Sequence, residues 1–238
     1  MASLKIIGSS SNGNAYILDC GSEQLILELG ISWKEILKAL NYDLSKVSFC
    51  LCSHIHKDHS KYIQNAIKSG LSVFSNKDVQ LVHPKVKVLE LGKKKRIGGF
   101  SVQPMPLFHD VMNYGFLIEH KEMGKLLFCT DTTQVPYKFK NVNHFLIECN
   151  SDIDCMIDNA CDNEFSKSAS QNHLELNDTI ETLKQNYSAN TQTIVLIHLS
   201  NANINAKKAR KKVIEELGFG NVYIAESGME IELNKEEF

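Results

Sequence analysis

Short runs of apolar, β-prone residues alternate with polar turn sequences over the first third of the chain. The runs LKIIG, AYILDC and QLILELG are joined by SSSNGN and GSE, a pattern that predicts three strands connected as a β-meander. A helix is predicted next, because Ser32 and Glu35 form a capping-box pattern at the start of SWKEILKAL and the apolar residues there recur at helical spacing. VSFCLCS then predicts a strand, and SKYIQNAIKSG predicts a helix that ends at Gly70.

Strand patterns dominate the middle of the chain, and strands alternate with helices in the last third. The β runs LSVFS, VKVLEL, GGFSVQPMPLF, YGFLIEH and KLLFCT surround a charged stretch, Lys93 to Arg96, which is predicted to form a hairpin turn. Later strands are predicted at HFLIEC, TIVLIHLS, NVYIA and MEIEL, and helices near DIDCMIDNA, from Asn177 through DTIETLKQNY, and at AKKARKKVIEEL. Two β-rich halves that each carry helices indicate an α/β fold. Since no repeat or linker divides the chain, we expect a single domain over residues 1–238.

Composition and charge narrow the class of protein. A chain of 238 residues with 43% hydrophobic residues can bury a full core, and a net charge of −2 gives no overall attraction to nucleic acid. No apolar run approaches the roughly 20 residues that a membrane span needs, and no signal-like segment opens the sequence. The seven cysteines include no C-x-x-C pair, so neither a disulfide framework nor a zinc knuckle is predicted. We expect a cytoplasmic protein without a membrane partner.

The stretch CSHIHKDHS places His54, His56, Asp58 and His59 at the junction between a predicted strand and a predicted helix. His54 and His56 are two residues apart, so on an extended backbone they point to the same side, while Asp58 and His59 lie where the chain turns into the helix. A chance match to this spacing is improbable. Imidazole and carboxylate ligands without cysteine suit Zn²⁺, Mn²⁺ or Fe at a catalytic site that leaves a position for water.

Three further polar residues follow apolar β runs later in the chain. These are His109 in PLFHD, Asp131 in LLFCTDT and His198 in IVLIHLS. A polar residue at the end of a buried strand is often directed into a functional site. Each of the three, taken alone, is more simply a hydrogen-bonded histidine or a turn aspartate. Together with the histidine cluster they favour a site with enough ligands for two metal ions.

These seven residues occur in the order and context typical of the metallo-β-lactamase superfamily, which the chain resembles over essentially its whole length. The resemblance implies a four-layer αββα sandwich with a dinuclear metal site between the two sheets. It assigns one metal ion to His54, His56 and His109. It assigns the other to Asp58, His59 and His198, with Asp131 bridging the two ions.

Within the superfamily, the chain is most similar to the WalJ (YycJ) group. The similar segments are GSSSNGNAYIL, HDVMNYGF, TDT, IECNSDIDCM, NHLELNDTIETL and LIHLSNANIN. That group is described as exonucleases and is related to tRNase Z and to phage anti-Pycsar enzymes, which cleave cyclic nucleotides. The resemblance places His173 over the metal ions, where it would serve the leaving group. Two positions depart from the pattern, because Glu28 stands where the group usually has aspartate and Ser151 where it has histidine.

Phosphodiester hydrolysis is the expected chemistry, because the context of His173 favours it over the lactam and thioester hydrolysis that also occur on this fold. Two divalent ions, Zn²⁺ or Mn²⁺, lower the pKa of a bridging water and hold the attacking and leaving oxygens. We expect a metal-bridging hydroxide to attack phosphorus, Asp58 or Asp131 to orient it and accept its proton, and His173 to protonate or stabilise the leaving oxygen. His83, His120 and His144 lack a matching context and are interpreted as structural.

The sequence leaves the substrate open. A WalJ-like DNA exonuclease is the first interpretation, and dense basic residues for a nucleic-acid path occur only at Lys93–Arg96 and Lys207–Lys212. The alternative is a cyclic-nucleotide phosphodiesterase of the anti-Pycsar type, which would not depend on net charge. A non-catalytic metal-binding protein is a third hypothesis, although none of the seven ligands is missing. A homodimer is expected by resemblance alone.

Overall fold

Two seven-stranded β-sheets pack face to face at the centre of the protein. This computed structural model describes residues 1–153, 155, 172–200 and 202–235. The strands of the first sheet, in spatial order, are β14 (Glu230–Glu232), β1 (Ser3–Ser10), β2 (Gly13–Asp19), β3 (Gln24–Leu27), β4 (Val47–Leu51), β5 (Val73–Ser75) and β6 (Lys87–Val88). Those of the second are β13 (Val222–Ile224), β12 (Thr193–Ile197), β11 (His144–Glu148), β10 (Gly124–Cys129), β9 (Asn113–His120), β8 (Phe100–Leu107) and β7 (Lys95–Ile97).

Both sheets are antiparallel in one part and parallel in the other. Strands β1, β2 and β3 pair antiparallel, which confirms the predicted meander, whereas β3 to β6 pair parallel. In the second sheet β7 to β10 pair antiparallel and β10 to β13 pair parallel. The carboxyl ends of β8, β10, β11 and β12 therefore lie at one edge of their sheet.

The main hydrophobic core lies between the two sheets and is made by their inward-facing side chains. The ring centroids of Phe49 in the first sheet and Phe100 in the second are 5.7 Å apart in an edge-to-face arrangement. Tyr16 and Phe128 make a similar contact at 6.0 Å. Such aromatic pairs contribute about 0.5–1.5 kcal/mol beyond the area that they bury, so they help to fix how one sheet sits on the other.

Helices cover the outer faces of both sheets. They are α1 (Trp33–Ala39), α2 (Lys57–Ser60), α3 (Ile63–Lys68), α4 (Lys77–Val82), α5 (Leu176–Asn186) and α6 (Ala206–Leu217). Apolar residues of α1, α3 and α4 pack on the outer face of the first sheet, and those of α5 and α6 pack on the second. The resulting order of layers is helix, sheet, sheet, helix, which confirms the predicted α/β sandwich.

Several local predictions are confirmed and others are wrong. Ser32 caps α1 by accepting a hydrogen bond from the Glu35 backbone N–H. Residues Lys93 to Arg96 do not form the hairpin turn, because Lys95 and Arg96 belong to β7 and the turn is made by two glycines at 98–99. The helix predicted from SKYIQNAIKSG is α3, whereas the short helix α2 before it and the later helix α4 were not predicted. The helix predicted near DIDCMIDNA falls largely outside the described residues.

In the described part of the chain, no helix combines the length and the apolar character that crossing a membrane would require.

Candidate metal centre

The seven residues predicted to bind metal follow the carboxyl ends of four strands. Strand β4 of the first sheet leads into residues 54–59, and β8, β10 and β12 of the second sheet lead into the positions at 109, 131 and 198. Because these strand ends meet at one edge of the sandwich, the structure brings all seven side chains together in groups that share members: His54, His56, Asp58, His59, His109, Asp131 and His198.

The cluster divides into two groups that correspond to the two metal positions implied by the resemblance. Potential ligand atoms of His54, His56 and His109 lie within 4.8 Å of one another, and so do those of Asp58, His59 and His198. Asp131 lies between the groups. One of its carboxylate oxygens lies within 4.8 Å of ring nitrogens of His54 and His59, and a carboxylate oxygen also lies within 4.8 Å of a ring nitrogen of His198. The geometry is compatible with two ions that share Asp131, while the individual ligand roles stay a prediction.

Unpaired ring nitrogens show that these residues fit a metal ion. Nε2 of His54 and Nε2 of His198 are buried and have no hydrogen-bond partner within the described residues. The opposite nitrogen of each ring is occupied, since His54 Nδ1 is 2.8 Å from the Ser53 hydroxyl and His198 Nδ1 is 2.9 Å from Glu148 Oε1. A buried polar atom without a partner is costly. A divalent cation would satisfy both nitrogens, and the occupied Nδ1 atoms match the outer contacts usual for metal-bound histidines.

Glu148 organises one side of the cluster, although the sequence analysis did not single it out. Its carboxylate is fully buried at the end of β11. Oε1 accepts hydrogen bonds from His173 Nδ1 at 2.7 Å and from His198 Nδ1 at 2.9 Å. Oε2 accepts from the backbone N–H groups of Thr132 at 3.0 Å and Leu174 at 3.1 Å. The sequence did contain a signal for this residue, because Glu148 is a charged residue directly after the apolar residues FLI of the predicted strand.

Glu28 supports the opposite side of the cluster. It is fully buried, and both carboxylate oxygens accept a hydrogen bond from the Ser53 backbone N–H, at 3.1 and 3.3 Å. Its Oε2 atom also lies 3.5 Å from Nδ1 of His59. Glu28 thus contacts a predicted ligand from behind. Ser151, the other departure from the WalJ pattern, is buried, and its carbonyl accepts a hydrogen bond from Leu176 N–H.

His173 lies beside the cluster and close to solvent. Its Nδ1 atom is 2.7 Å from Glu148 and 3.3 Å from Asp131 Oδ1, and its ring stacks on that of His198 at 5.3 Å. The side chain is 20% exposed, compared with 37% for His56 and 2% for His198. The open side of the site is therefore bordered by His173 and His56.

Burial and the neighbouring charged groups shift the pKa values of the histidines and carboxylates in the cluster in opposite directions. Burial lowers the pKa of His54 and of His109, so both rings are neutral and can act as ligands. Burial opposes the charge of Asp131, but His198 and His59 outweigh it and hold the pKa of that carboxyl well below its usual range. Burial also lowers the pKa of His198, but the carboxylates of Asp131, Asp58 and Glu148, each within 3.5 Å of a ring nitrogen, outweigh burial and raise it to about 10. A divalent cation bound here would compete with the protons on these rings.

Three residues of the site have left-handed backbone conformations. The φ angles are +66° for Glu28, +50° for Asp131 and +54° for His198. Each follows the end of a central strand, β3, β10 or β12. Non-glycine residues adopt this conformation infrequently and at an energetic cost, and such residues concentrate at functional sites.

Comparison with solved structures identifies the fold. The metallo-β-lactamase fold protein YhfI from Bacillus subtilis superposes with a TM-score of 0.75 at 17% identity, covering 98% of this chain and 100% of that one. The short form of human tRNase Z superposes with a TM-score of 0.63 at 14% identity, covering 97% and 99%. The protein therefore has the metallo-β-lactamase fold, as the sequence predicted.

Comparison with curated sequences identifies a more specific similarity. The exodeoxyribonuclease WalJ of Streptococcus pneumoniae is 24% identical over 233 residues, which cover 89% of this chain and 87% of WalJ. No protein-family model matches the chain. This match agrees with the resemblance to the WalJ group that the sequence motifs indicated.

Proposed function

We propose that the protein is a metal-dependent hydrolase that cleaves phosphodiester bonds, and that it is a DNA exonuclease. The observation that carries the proposal is the pair of ligand groups sharing Asp131, with His173 held beside them by Glu148. A histidine that is fixed next to a two-metal cluster, yet reaches the open side, suits protonation of a leaving oxygen. The similarity to WalJ supports DNA as the substrate.

The proposed cofactor is a pair of divalent ions, Zn²⁺ or Mn²⁺. One would be held by His54, His56 and His109, and the other by Asp58, His59 and His198, with Asp131 between them. Two such ions lower the pKa of a shared water and withdraw charge from the phosphodiester oxygens.

Asp58 and His173 carry the proposed proton transfers. Asp58 is 23% exposed at its side chain, so it can contact and orient an attacking water. Burial raises its pKa, but His198 and His59 outweigh burial and lower it, so Asp58 is an ionised carboxylate that we propose accepts the proton of that water. Burial lowers the pKa of His173, but the hydrogen bond to Glu148 and the negative charges of Glu148 and Asp131 outweigh burial and raise it. A protonated His173 can donate to the departing alkoxide, a step that typically contributes about 10²–10⁴-fold to the rate.

A nucleic-acid substrate needs a positively charged path to the site. Helix α6 begins eight residues after His198, and Lys207 and Lys208 in its first turn are exposed. We propose that these lysines contact the DNA backbone, which would make binding weaken as salt concentration rises. We also propose a homodimer, because of the resemblance to the WalJ group.

A substrate panel tests the proposal. Purified protein loaded with Zn²⁺ or Mn²⁺ is assayed against 5′-labelled duplex DNA, single-stranded DNA, a tRNA precursor and 3′,5′-cyclic nucleotides. We expect stepwise shortening of DNA. Cleavage of cyclic nucleotides alone would replace the nuclease proposal by a cyclic-nucleotide phosphodiesterase, and tight metal binding without any turnover would favour a non-catalytic protein.

Three variants test the residue roles. Asp131→Ala should abolish hydrolysis and reduce the metal content, whereas His173→Ala should retain metal and lose turnover by about 10²-fold or more. His83→Ala is the matched control, because His83 contacts Gln64 outside the cluster, and it should keep both properties. Turnover that persists in metal-stripped protein would contradict the mechanism.

A further inference from the structure

A basic cavity lies at the opposite end of the sandwich from the metal centre. Its volume is about 330 Å³, and it is lined by β7, the turn after β7, the adjoining ends of β8, β9 and β10, and Lys235. Gly124 at the start of β10 borders the cavity, whereas Asp131 follows the other end of the same strand. Seven residues of extended chain separate the two points by roughly 20 Å, so the cavity is not part of the metal site.

Positive charge predominates in the lining of the cavity. Arg96, Lys121 and Lys235 contribute cations, and Glu119 is the acidic residue among the lining side chains. The Glu119 carboxylate is already occupied, because Lys94 Nζ lies 2.6 Å from one of its oxygens. The cavity therefore presents an excess of positive charge to a ligand.

The Lys93–Arg96 run explains where part of this charge comes from. Its three lysines are engaged locally: Lys93 pairs with a neighbouring glutamate, Lys94 pairs with Glu119, and Lys95 lies over the ring of Phe74 at 5.4 Å. Arg96 has no ion pair within the residues that the structure describes. It lies opposite Ser101 in the β7–β8 pair and faces the cavity.

A buried histidine in the lining, His120, adds a hydrogen-bond donor to the cavity. His120 is only 4% exposed, and its Nδ1 atom accepts a hydrogen bond from the Glu122 backbone N–H at 3.3 Å. Burial lowers the pKa of His120, and because Nδ1 accepts a hydrogen bond, Nε2 is the ring nitrogen that carries the proton. No hydrogen-bond partner for Nε2 occurs among the described residues. A Cβ atom added to Gly99 would come within 2.6 Å of Glu23 Oε1 and 2.8 Å of His120 Nε2, so the absence of a side chain there leaves room for both groups.

One partly buried carboxylate, Glu23, lies behind the cavity wall and is engaged by its own hydrogen bonds. Both carboxylate oxygens of Glu23 accept hydrogen bonds from the Gly99 backbone N–H, at 3.0 and 2.9 Å, and one also accepts from the Ser48 hydroxyl. These contacts hold Glu23 against the wall. The groups left to meet a ligand are the Arg96 guanidinium, the Lys235 ammonium group, an imidazole N–H and the Ser101 hydroxyl. Lys121 adds a second ammonium group, whose Nζ atom lies 3.7 Å from Glu122 Oε1.

We propose that this cavity is a second ligand site that binds a phosphate group. An arginine fork recognises phosphate oxygens in a bidentate manner, and the lysines and the His120 N–H supply the remaining donors. The volume lies within the range of small-ligand pockets, so it accommodates a phosphate with an attached group. The ligand is either a free phosphate compound or one phosphate of a nucleic-acid backbone, and the proposal holds whichever reaction the metal centre performs.

Amide NMR signals next to the cavity provide the test. Metal-loaded, ¹⁵N-labelled protein is titrated with inorganic phosphate, with a nucleoside 5′-monophosphate and with a short phosphorothioate oligonucleotide. The signals of Gly99 and Gly124 should shift and saturate. Saturation by phosphate or the nucleotide identifies a free ligand, whereas saturation by the oligonucleotide alone identifies a nucleic-acid backbone.

Variants separate the cavity from the metal centre. Arg96→Gln should weaken the binding reported by Gly99 about ten-fold or more, as expected for loss of a hydrogen bond to a charged group, and Lys121→Gln should weaken it in the same direction. Lys93→Gln is the matched control from the same basic run and should bind as the unmodified protein does. Shifts confined to residues 54–59, or equal affinities for Arg96→Gln and Lys93→Gln, would overturn the proposal.

Discussion

Replacing Glu148 by glutamine should weaken metal binding without touching a predicted ligand. In the protein, Oε1 accepts hydrogen bonds from two histidines and Oε2 accepts from two backbone N–H groups. Because His198 donates its Nδ1 proton to Glu148, its Nε2 lone pair is available to a metal ion. The glutamate thereby selects the ring tautomer that can bind metal.

Glutamine cannot reproduce this arrangement in either orientation. If its NH₂ group faces the histidines, His198 must accept at Nδ1 and carry its proton on Nε2, the atom that should bind metal. If its NH₂ group faces the other way, it opposes the N–H groups of Thr132 and Leu174, which are then left without an acceptor. The first case removes the Nε2 lone pair that should bind metal, and the second places donor against donor at two buried contacts.

The expected loss is 10–100-fold in metal affinity, the usual effect of removing such an outer contact. With about 1.4 kcal/mol for each factor of ten, this corresponds to about 1.4–2.8 kcal/mol. Turnover at saturating metal should fall as well, because His173 loses its anchor.

A competition titration with a chromophoric chelator measures the affinity of Glu148→Gln directly. Glu23→Gln is the control, because Glu23 is also a hydrogen-bonded carboxylate but lies at the other end of the sandwich. If both variants bind metal as tightly as the unmodified protein, the role assigned to Glu148 is refuted.

Three other perturbations have defined outcomes. Gly30→Ala places a Cβ atom 1.6 Å from the Asp58 carbonyl oxygen. Thermal unfolding should show that the protein is destabilised by about 1–3 kcal/mol, and metal analysis should show that metal is released. Gly220→Ala, where the added Cβ meets no atom within 4 Å, should have neither effect. Asn76→Ala removes the cap of α4 and the hydrogen bond to the Ser53 carbonyl, so the free energy of unfolding in urea should fall by about 1–2 kcal/mol; an unchanged midpoint would contradict this. Chelation should lower the Tm by about 2–4 °C for each kcal/mol of metal-binding free energy, and an unchanged Tm in protein shown to be metal-free would exclude a stabilising metal.

The metal cluster was predictable because its signals are local. The spacing of His54 and His56 is visible without any knowledge of tertiary structure, and the predicted positions of His109, Asp131 and His198 need only the recognition of strand ends. Glu148 carries the same strand-end signal but was missed, because glutamate at such a position is not by itself a sign of metal chemistry. Its role depends on β11 lying between β10 and β12, an order that the sequence does not display.

The Lys93–Arg96 run shows why a charge pattern alone can mislead. Charged residues suit a solvated turn, but they also suit an edge strand, where they discourage pairing with other chains. Gly98 adopts a φ angle of +58°, which favours glycine, and this places the turn after the basic run. Strand β7 is at the edge of its sheet, so Lys95 and Arg96 lie where they can discourage pairing with another chain.

The left-handed residues at the ends of β3, β10 and β12 imply a trade-off between stability and function. Glycine at position 28, 131 or 198 would relieve the conformational cost of the backbone while deleting a side chain that contacts or belongs to the cluster. In a chain that no longer bound metal, glycine at these positions would remove this cost without a further loss of activity. Proteins of this architecture that no longer depend on metal should therefore be sought among chains with glycine there.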